Sequence, residues 1–155
     1  MSLTKKVKKI LKNKSGEEAI MAIDNLLKPI FYSHPDKLTE EEKTVVYIEE
    51  LEREVNNGGF SQFFFNTSAD FTEEIINVLK IIGPTKFTEI VQKAVAQFPN
   101  SYVPKDRTKR QKILERIENE ADPVWDNLGA EFYKYEEDIY TLMRRYILSN
   151  IKRFR

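Results

Sequence analysis

The chain of 155 residues contains no cysteine and only one histidine, His34. The lack of cysteine excludes disulfide bonds, thiolate nucleophiles and cysteine-ligated zinc. A single histidine excludes a metal site built on a histidine pair, and no other pattern calls for a cofactor, so we expect neither metal nor cofactor. No stretch approaches the roughly 18 apolar residues that span a bilayer, and lysines interrupt residues 1–11 too often for a signal-peptide core. We therefore expect a cytoplasmic protein with no membrane partner.

Glycine and proline are also scarce, at five and six residues, which excludes fibrous and low-complexity chains. Hydrophobic residues make up 41% of the chain, and this amount argues against intrinsic disorder. A length near ~150 residues is typical of one domain. We expect residues 1–155 to form a single domain.

Apolar residues recur with a helical period, and no stretch alternates as a strand does. Phe87, Ile90, Val91, Ala94 and Phe98, for example, form one apolar stripe. The pattern predicts an all-α helical bundle of about seven to nine helices with short loops. The predicted helices lie near residues 3–13, 17–31, 40–56, 60–66, 71–82, 85–98, 106–120, 123–129 and 131–154.

Capping signals support several of these boundaries. Thr39 with Glu42, and Ser15 with Glu18, have the spacing of a capping box. Asp122 followed by Pro123 predicts the start of a helix. Pro29 is expected to end or bend the second helix.

The formal net charge is zero, from 25 basic and 25 acidic side chains, but the charges come in blocks. The blocks carry +6 in residues 1–14, −5 in 36–54, +4 in 105–116, −7 in 117–138 and +5 in 139–155. They predict either solvated helix faces that pair with one another or separate faces that bind charged partners or a second copy. The basic helix within residues 1–14 has four medium-sized apolar residues, so we expect it to pack against the rest of the chain rather than on a membrane.

The most unusual segment runs from Glu54 to Asn66 and contains the pattern Asn-Asn-Gly-Gly-Phe-x-Gln-Phe-Phe. A glycine at position 58 or 59 can adopt the backbone conformation that ends a helix. With Phe60 and its neighbours in the core, the segment is predicted to form a tight corner whose amides satisfy backbone groups. The alternative is a small polar-ligand pocket, formed by Asn56, Asn57, Gly58, Gly59, Phe60, Gln62 and Asn66 beside Tyr47, Glu50 and Glu54.

This segment, with Gly83 closing a later helix and the run from Trp125 to Tyr133, resembles the bacterial DNA-mimic-protein-like family, a domain of unknown function. The resemblance covers about residues 40–150. It implies an all-helical bacterial domain, and the best-understood relative places surface carboxylates on the DNA-binding face of a transcription factor. A chain of zero net charge supplies such a negative field only locally, from residues 36–54 and 117–138.

We expect a non-enzymatic protein-interaction module that docks a partner with a basic surface. An enzyme has less support, because Glu50 and Glu54 lack a nucleophile beside them and His34 lies in a predicted loop. The predicted acidic interaction face consists of Glu40, Glu41, Glu49, Glu118, Glu120, Asp122 and Asp126. The alternative partner is a nucleic acid, bound through Lys5–Lys14, Lys105–Lys112 and Arg144–Arg155. The sequence predicts no particular oligomeric state.

Overall fold

The computed structural model describes residues 1–155 and contains seven α-helices and no β-strand. This result confirms the all-α class and a helix count within the predicted range. None of the helices combines the length and the hydropathy that a membrane span requires. The helices are α1 (Leu3–Asn13), α2 (Gly16–Ser33), α3 (Glu40–Phe65), α4 (Thr72–Ile82), α5 (Thr85–Val95), α6 (Arg107–Tyr133) and α7 (Ile139–Ser149). Short 3₁₀ turns occupy Pro35–Lys37, Thr67–Phe71, Pro99–Ser101 and Ile151–Arg153.

The chain divides into two compact units, which we describe separately. Unit 1 comprises residues 1–49 and 138–155, and unit 2 comprises residues 50–137. The boundary falls within α3. That the whole chain folds as a single domain stays a prediction.

In unit 1, α2 packs against both α1 and α7. The start of α3 is fixed by the predicted capping box, which the structure confirms: the Thr39 N–H donates to Glu42 Oε2 at 2.9 Å, and the Glu42 N–H donates to Thr39 Oγ1 at 3.1 Å. The predicted box at Ser15 is wrong, because the Ser15 side chain caps nothing and Glu18 pairs with Lys14 at 2.8 Å. The most deeply buried apolar residues of this unit include Val7, Ile23, Leu27, Val46, Ile139, Met143, Ile147 and Phe154.

Asp138 caps the first turn of α7 and links its formation to pH. The Thr141 hydroxyl donates to Asp138 Oδ2 at 2.7 Å, and the Thr141 N–H donates to Oδ1 at 3.1 Å. These hydrogen bonds lower the pKa of Asp138 below its ordinary value of 3.8. The carboxylate therefore stabilises the folded state above the unfolded-state pKa, and this contribution is lost as the pH falls through the lowered folded-state pKa.

The variant Asp138→Asn keeps a capping oxygen but cannot titrate. We expect the wild type to be more stable than this variant near neutral pH and the difference to shrink below about pH 4. Urea denaturation at several pH values measures the two free energies of unfolding. A difference that stays constant through the acid range would contradict the role of Asp138.

In unit 2, α5 packs against α4 and α6 around an aromatic core. The ring of Phe64 lies 4.8 Å from Phe98 and 5.0 Å from Trp125, between ring centroids. The indole of Trp125 donates its N–H to the Ala94 carbonyl at 3.0 Å, which satisfies its only polar group in the core. The core also contains Phe60, Phe63, Phe87 and Phe132, each at most 2% exposed.

Prolines interrupt the helices less than the sequence predicts. α6 runs through Pro123, so the predicted separate helices at 106–120 and 123–129 are one helix, and Asp122 does not begin a new one. Pro123 costs α6 the hydrogen bond to the carbonyl of Asn119, which is exposed, while Ala121 and Trp125 hold the helix in the core. In the same way α2 continues past Pro29 to Ser33.

The predicted helix at 131–154 is also wrong, because the chain leaves the helical conformation between α6 and α7. Tyr135 adopts a φ of +48° after α6 ends at Tyr133, and α7 begins only after its cap at Asp138. A left-handed residue cannot continue a right-handed helix.

Candidate functional site

The glycine pair of the central motif divides α3 into two helical segments. Gly58 has φ −148° and ψ 18°, and Gly59 has φ +73° and ψ −173°. The Gly59 conformation is accessible almost only to glycine. Gly58 needs its hydrogen for a different reason, because a Cβ there would lie 2.7 Å from the Cβ of Gln62 and overlap its carboxamide. The chain therefore leaves the helical conformation at the glycine pair and forms a second helical segment after it, which confirms the predicted break between two helices.

The amides of the motif gather around a carboxylate rather than around backbone groups. Glu54 Oε2 accepts hydrogen bonds from Gln62 Nε2 at 2.7 Å and from Asn66 Nδ2 at 2.9 Å. Asn57 Nδ2 donates to Gln62 Oε1 at 3.4 Å. The predicted role of these amides as partners for backbone groups is therefore wrong. They bridge the bend by joining the helical segment before it to the segment after it.

The remaining residues of the predicted polar pocket have other partners. Asn56 Nδ2 donates to the hydroxyl of Tyr135 at 2.6 Å. Glu50 pairs with Arg53, Phe60 is fully buried, and the ring of Tyr47 in unit 1 packs edge-on against Phe31 at 5.7 Å. The structure thus brings together Glu54, Asn57, Gln62 and Asn66 beside the two glycines. Small-ligand binding at this corner stays a prediction.

A cavity of about 300 Å³ opens beside the motif. Gln62 and Glu118 contribute polar groups to its wall, and Phe65 contributes an exposed ring. The wall consists of Gly58, Ser61, Gln62, Phe65, Leu114, Glu118 and Trp125. No group of three or more histidine, cysteine or carboxylate side chains is placed to hold a metal ion.

The residues of the predicted acidic face fall in both units, three in unit 1 and four in unit 2, and that they form one interaction face stays a prediction. Glu49 is only 6% exposed, so it does not contribute to an exposed face. In unit 1, Glu40 pairs with Lys43 at 3.2 Å and Glu41 with Arg153 at 3.3 Å, which neutralises both carboxylates.

In unit 2, four carboxylates of α6 form what we call the acidic stripe: Glu115, Glu118, Asp122 and Asp126. Their spacing of three, four and four residues places them on one side of the helix. None of them lies within 4.0 Å of a basic group, and Asp122 is the only half-buried member. Three of these residues belong to the acidic face predicted from the sequence, whereas Glu115 does not, although its helical spacing is a signal that identifies it. The predicted Glu120 is exposed but lies on another side of α6.

Arg110 has a structural role that the sequence does not predict, because it lies within a basic block that suggests an exposed side chain. Its side chain is 0% exposed and forms an ion pair with Asp70 at 2.8 Å. Its nitrogens donate to four carbonyl oxygens, at 2.7 Å to Phe64, 2.7 Å to Asn66, 2.9 Å to Pro104 and 3.2 Å to Lys105. The guanidinium thereby ties the end of α3 to the segment that precedes α6. Because Asn66 is part of the motif, Arg110 also fixes the position of the acidic-stripe helix relative to the corner.

Charge divides between the two units. Unit 1 contains 14 basic and nine acidic side chains, a net charge of +5, and unit 2 contains 11 basic and 16 acidic ones, a net charge of −5. The neutrality of the chain is therefore the sum of a basic unit and an acidic unit.

Comparison with known proteins places most of the chain in one family. The family model described as DMP19-like protein matches residues 36–150, about three quarters of the chain. No curated protein and no solved structure gave a significant match. The matched region contains the glycine corner, the acidic stripe and Arg110. The chain belongs to the DMP19-like protein family.

Proposed function

We propose that this chain is a protein-binding domain that docks a basic surface of a DNA-binding protein through the acidic stripe of α6. One observation carries the proposal: the family region, residues 36–150, has 22 acidic and 15 basic side chains and a net charge of −7. The compensating positive charge lies in residues 1–35, at +4, and in residues 151–155, at +3. The zero net charge of the chain therefore does not argue against a strong negative field over the family region.

The geometry of the acidic stripe supports docking. With a rise of 1.5 Å per residue, Glu118, Asp122 and Asp126 are separated by about 6 Å along the helix axis. The stripe reaches about 16 Å from Glu115 to Asp126. The four carboxylates have no basic partner of their own, so binding a basic surface breaks no internal ion pair. α6 is held by buried Trp125 and Leu128, so little conformational entropy is lost when a partner binds.

The resemblance to DNA-mimic proteins indicates the class of partner. A surface that normally neutralises DNA phosphates offers lysine and arginine side chains, and a row of fixed carboxylates is complementary to it. We therefore expect the partner's binding to this chain and to duplex DNA to be mutually exclusive. We also expect the affinity to fall as the salt concentration rises.

The variant Glu118→Gln/Asp122→Asn/Asp126→Asn tests the stripe. With each charge contributing about 0.5 kcal/mol, the loss of three should weaken binding about tenfold. The matched control Glu89→Gln/Glu120→Gln/Glu131→Gln removes the same charge from other exposed positions without known ion pairs. Partners retained by the immobilised full chain and eluted with salt would be identified, purified and titrated against both variants by isothermal titration calorimetry.

The proposal requires a DNA-binding protein that loses its DNA in the presence of this chain and that discriminates between the two variants. Equal weakening by both variants would mean that net charge alone drives binding, and the stripe would not be the site. A tight partner whose affinity does not change with salt would contradict an electrostatic mechanism.

The cavity beside the glycine corner favours a second candidate, a small polar ligand. Its wall offers the amide of Gln62, the hydroxyl of Ser61 and the carboxylate of Glu118 within about 300 Å³, a size at the lower end of small-molecule sites. Soaking crystals with small polar compounds tests this candidate, and a cavity that stays unoccupied at high compound concentration would exclude it.

A further inference from the structure

We infer that unit 1 carries a separate surface that binds the phosphate backbone of a nucleic acid. This basic surface lies on the exposed side of α1 and on residues 151–155, and it consists of Lys5, Lys8, Lys9, Lys12, Lys152 and Arg155. Both segments lie outside the family region at 36–150. The inference therefore does not depend on the proposed function, which uses charges of the opposite sign in unit 2.

α1 presents its lysines on one side because its other side is buried. Val7 is 0% and Leu11 3% exposed, which fixes the apolar face against unit 1. Lys5, Lys8, Lys9 and Lys12 follow at intervals of three, one and three residues, which places them together on the opposite face of the helix. All four are exposed.

Two hydrogen bonds hold α1 in this orientation beside the segment that follows α7. The hydroxyl of Thr4 donates to the carbonyl of Phe154, and Arg144 Nη2 donates to the carbonyl of Leu11 at 2.6 Å. The turn Ile151–Arg153 packs against α1. Lys152 and Arg155 therefore belong to a segment that is held against α1.

The positive charges of this surface have no internal partner. None of its six side chains lies within 4.0 Å of a carboxylate, whereas neighbouring Lys14 and Arg153 pair with Glu18 and Glu41. Unpaired cations on a unit of net charge +5 attract an anion that presents many charges at close spacing. Duplex DNA and RNA meet this requirement, with one phosphate per 3.4 Å of each strand of B-DNA.

The other basic segments are less suited to bind a nucleic acid, because several of their basic side chains are buried or already have partners. Arg110 is buried, Lys105 pairs with Glu74, and Arg107 lies over the ring of Phe65 at 5.4 Å. Arg144 and Arg153 are engaged within unit 1. Of the segments that the sequence suggested, Lys5–Lys14 therefore keeps the largest number of unpaired charges.

A nucleic acid fits this surface better than a membrane or a second copy. An interfacial helix binds membranes by burying its apolar face, and the apolar face of α1 is already buried in unit 1. The acidic stripe of a second copy offers four carboxylates over about 16 Å, whereas each strand of B-DNA offers a phosphate about every 3.4 Å along its whole length. Lysines contact phosphates without reading bases, so we expect binding without sequence preference.

The variant Lys5→Gln/Lys8→Gln/Lys12→Gln tests the surface with a fluorescein-labelled duplex of about 25 base pairs, measured by fluorescence anisotropy between about 50 and about 200 mM salt. The slope of log K against log salt is negative, and each lost phosphate contact makes it less steep by roughly 0.9. Three lost contacts therefore reduce its steepness by roughly 2.7. The wild type should accordingly lose about 40-fold more affinity than the variant across this salt range. Because glutamine is a good helix former, we expect the variant to fold, and circular dichroism checks this.

The matched control is Lys109→Gln/Lys112→Gln/Arg116→Gln, which removes the same charge from exposed, unpaired positions of α6. It should keep the wild-type slope. Equal loss in both variants, or no duplex binding by the wild type at about 50 mM salt, would overturn the inference. It would also be overturned if anionic phosphatidylserine vesicles bound the wild type and the duplex did not, or if sedimentation showed that Lys5→Gln/Lys8→Gln/Lys12→Gln abolishes self-association while duplex binding is unchanged.

Discussion

Replacing Arg110 by methionine is expected to lower the free energy of unfolding by about 4 kcal/mol. The guanidinium is fully buried, supplies donors to four carbonyl groups and forms an ion pair with Asp70. Methionine retains most of the apolar stem but leaves these acceptors without their donors. Because buried groups without partners cost more than a formed hydrogen bond gains, the loss should exceed that of an ordinary surface ion pair several-fold.

The matched control is Arg107→Met, one turn earlier on the same helix. Arg107 also donates to a carbonyl, that of Phe65 at 3.0 Å, but it is exposed. We expect it to cost less than about 1 kcal/mol. Urea denaturation followed by circular dichroism measures both values. If Arg110→Met were as stable as Arg107→Met, the guanidinium would not be the element that holds the end of α3 to the start of α6.

The contrast between these two arginines shows what the sequence could predict. A basic block indicates exposure, yet Arg110 lies in helical register with buried Leu114 and Ala121. That register indicates from the sequence alone that Arg110 is buried. The acceptors for its guanidinium cannot be predicted in this way, because Phe64 and Asn66 lie more than 40 residues away in the chain. The sequence thus predicted the apolar faces of the helices correctly but not the buried polar groups that join them.

The same distinction applies to the glycine corner and the prolines. The pattern Gly58-Gly59 correctly predicts a break after the first part of α3, since the backbone requirement is local. It does not predict that Gln62 and Asn66 reach back to Glu54, which depends on the angle of the bend. Pro123 signals a boundary locally, but the burial of Trp125 keeps α6 continuous.

The distribution of charge between the two units also could not be predicted from the sequence alone. The sequence blocks show that neutrality is an average, but only the division of the chain into two units shows that the average has two parts, +5 and −5. The two proposed partners, a basic protein surface and a nucleic acid, would therefore each contact a different unit of the chain. The lysine variant should weaken the binding of the nucleic acid, and the carboxylate variant should weaken the binding of the protein partner. The two variants therefore test the two surfaces separately.

Replacing Gly59 by alanine is expected to destabilise the protein by about 3 kcal/mol. The cause is backbone strain alone, because the site has open space: a Cβ at Gly59 would meet no atom within 4 Å. At φ +73° and ψ −173° an L-residue is strongly disfavoured, so the variant must either accept the strain or unbend α3. Unbending would separate Glu54 from Gln62 and Asn66, and it would expose the aromatic core that begins at Phe60.

Gly129→Ala makes the same chemical change within α6, again with no atom within 4 Å of the added Cβ. There the conformation is helical, so alanine should stabilise the protein by up to about 1 kcal/mol. One methyl group at two open positions thus has effects of opposite sign, and urea denaturation of both variants measures the difference of about 3–4 kcal/mol. If Gly59→Ala kept wild-type stability, the bend would not require glycine, and the corner would owe its shape to the hydrogen bonds around Glu54 instead.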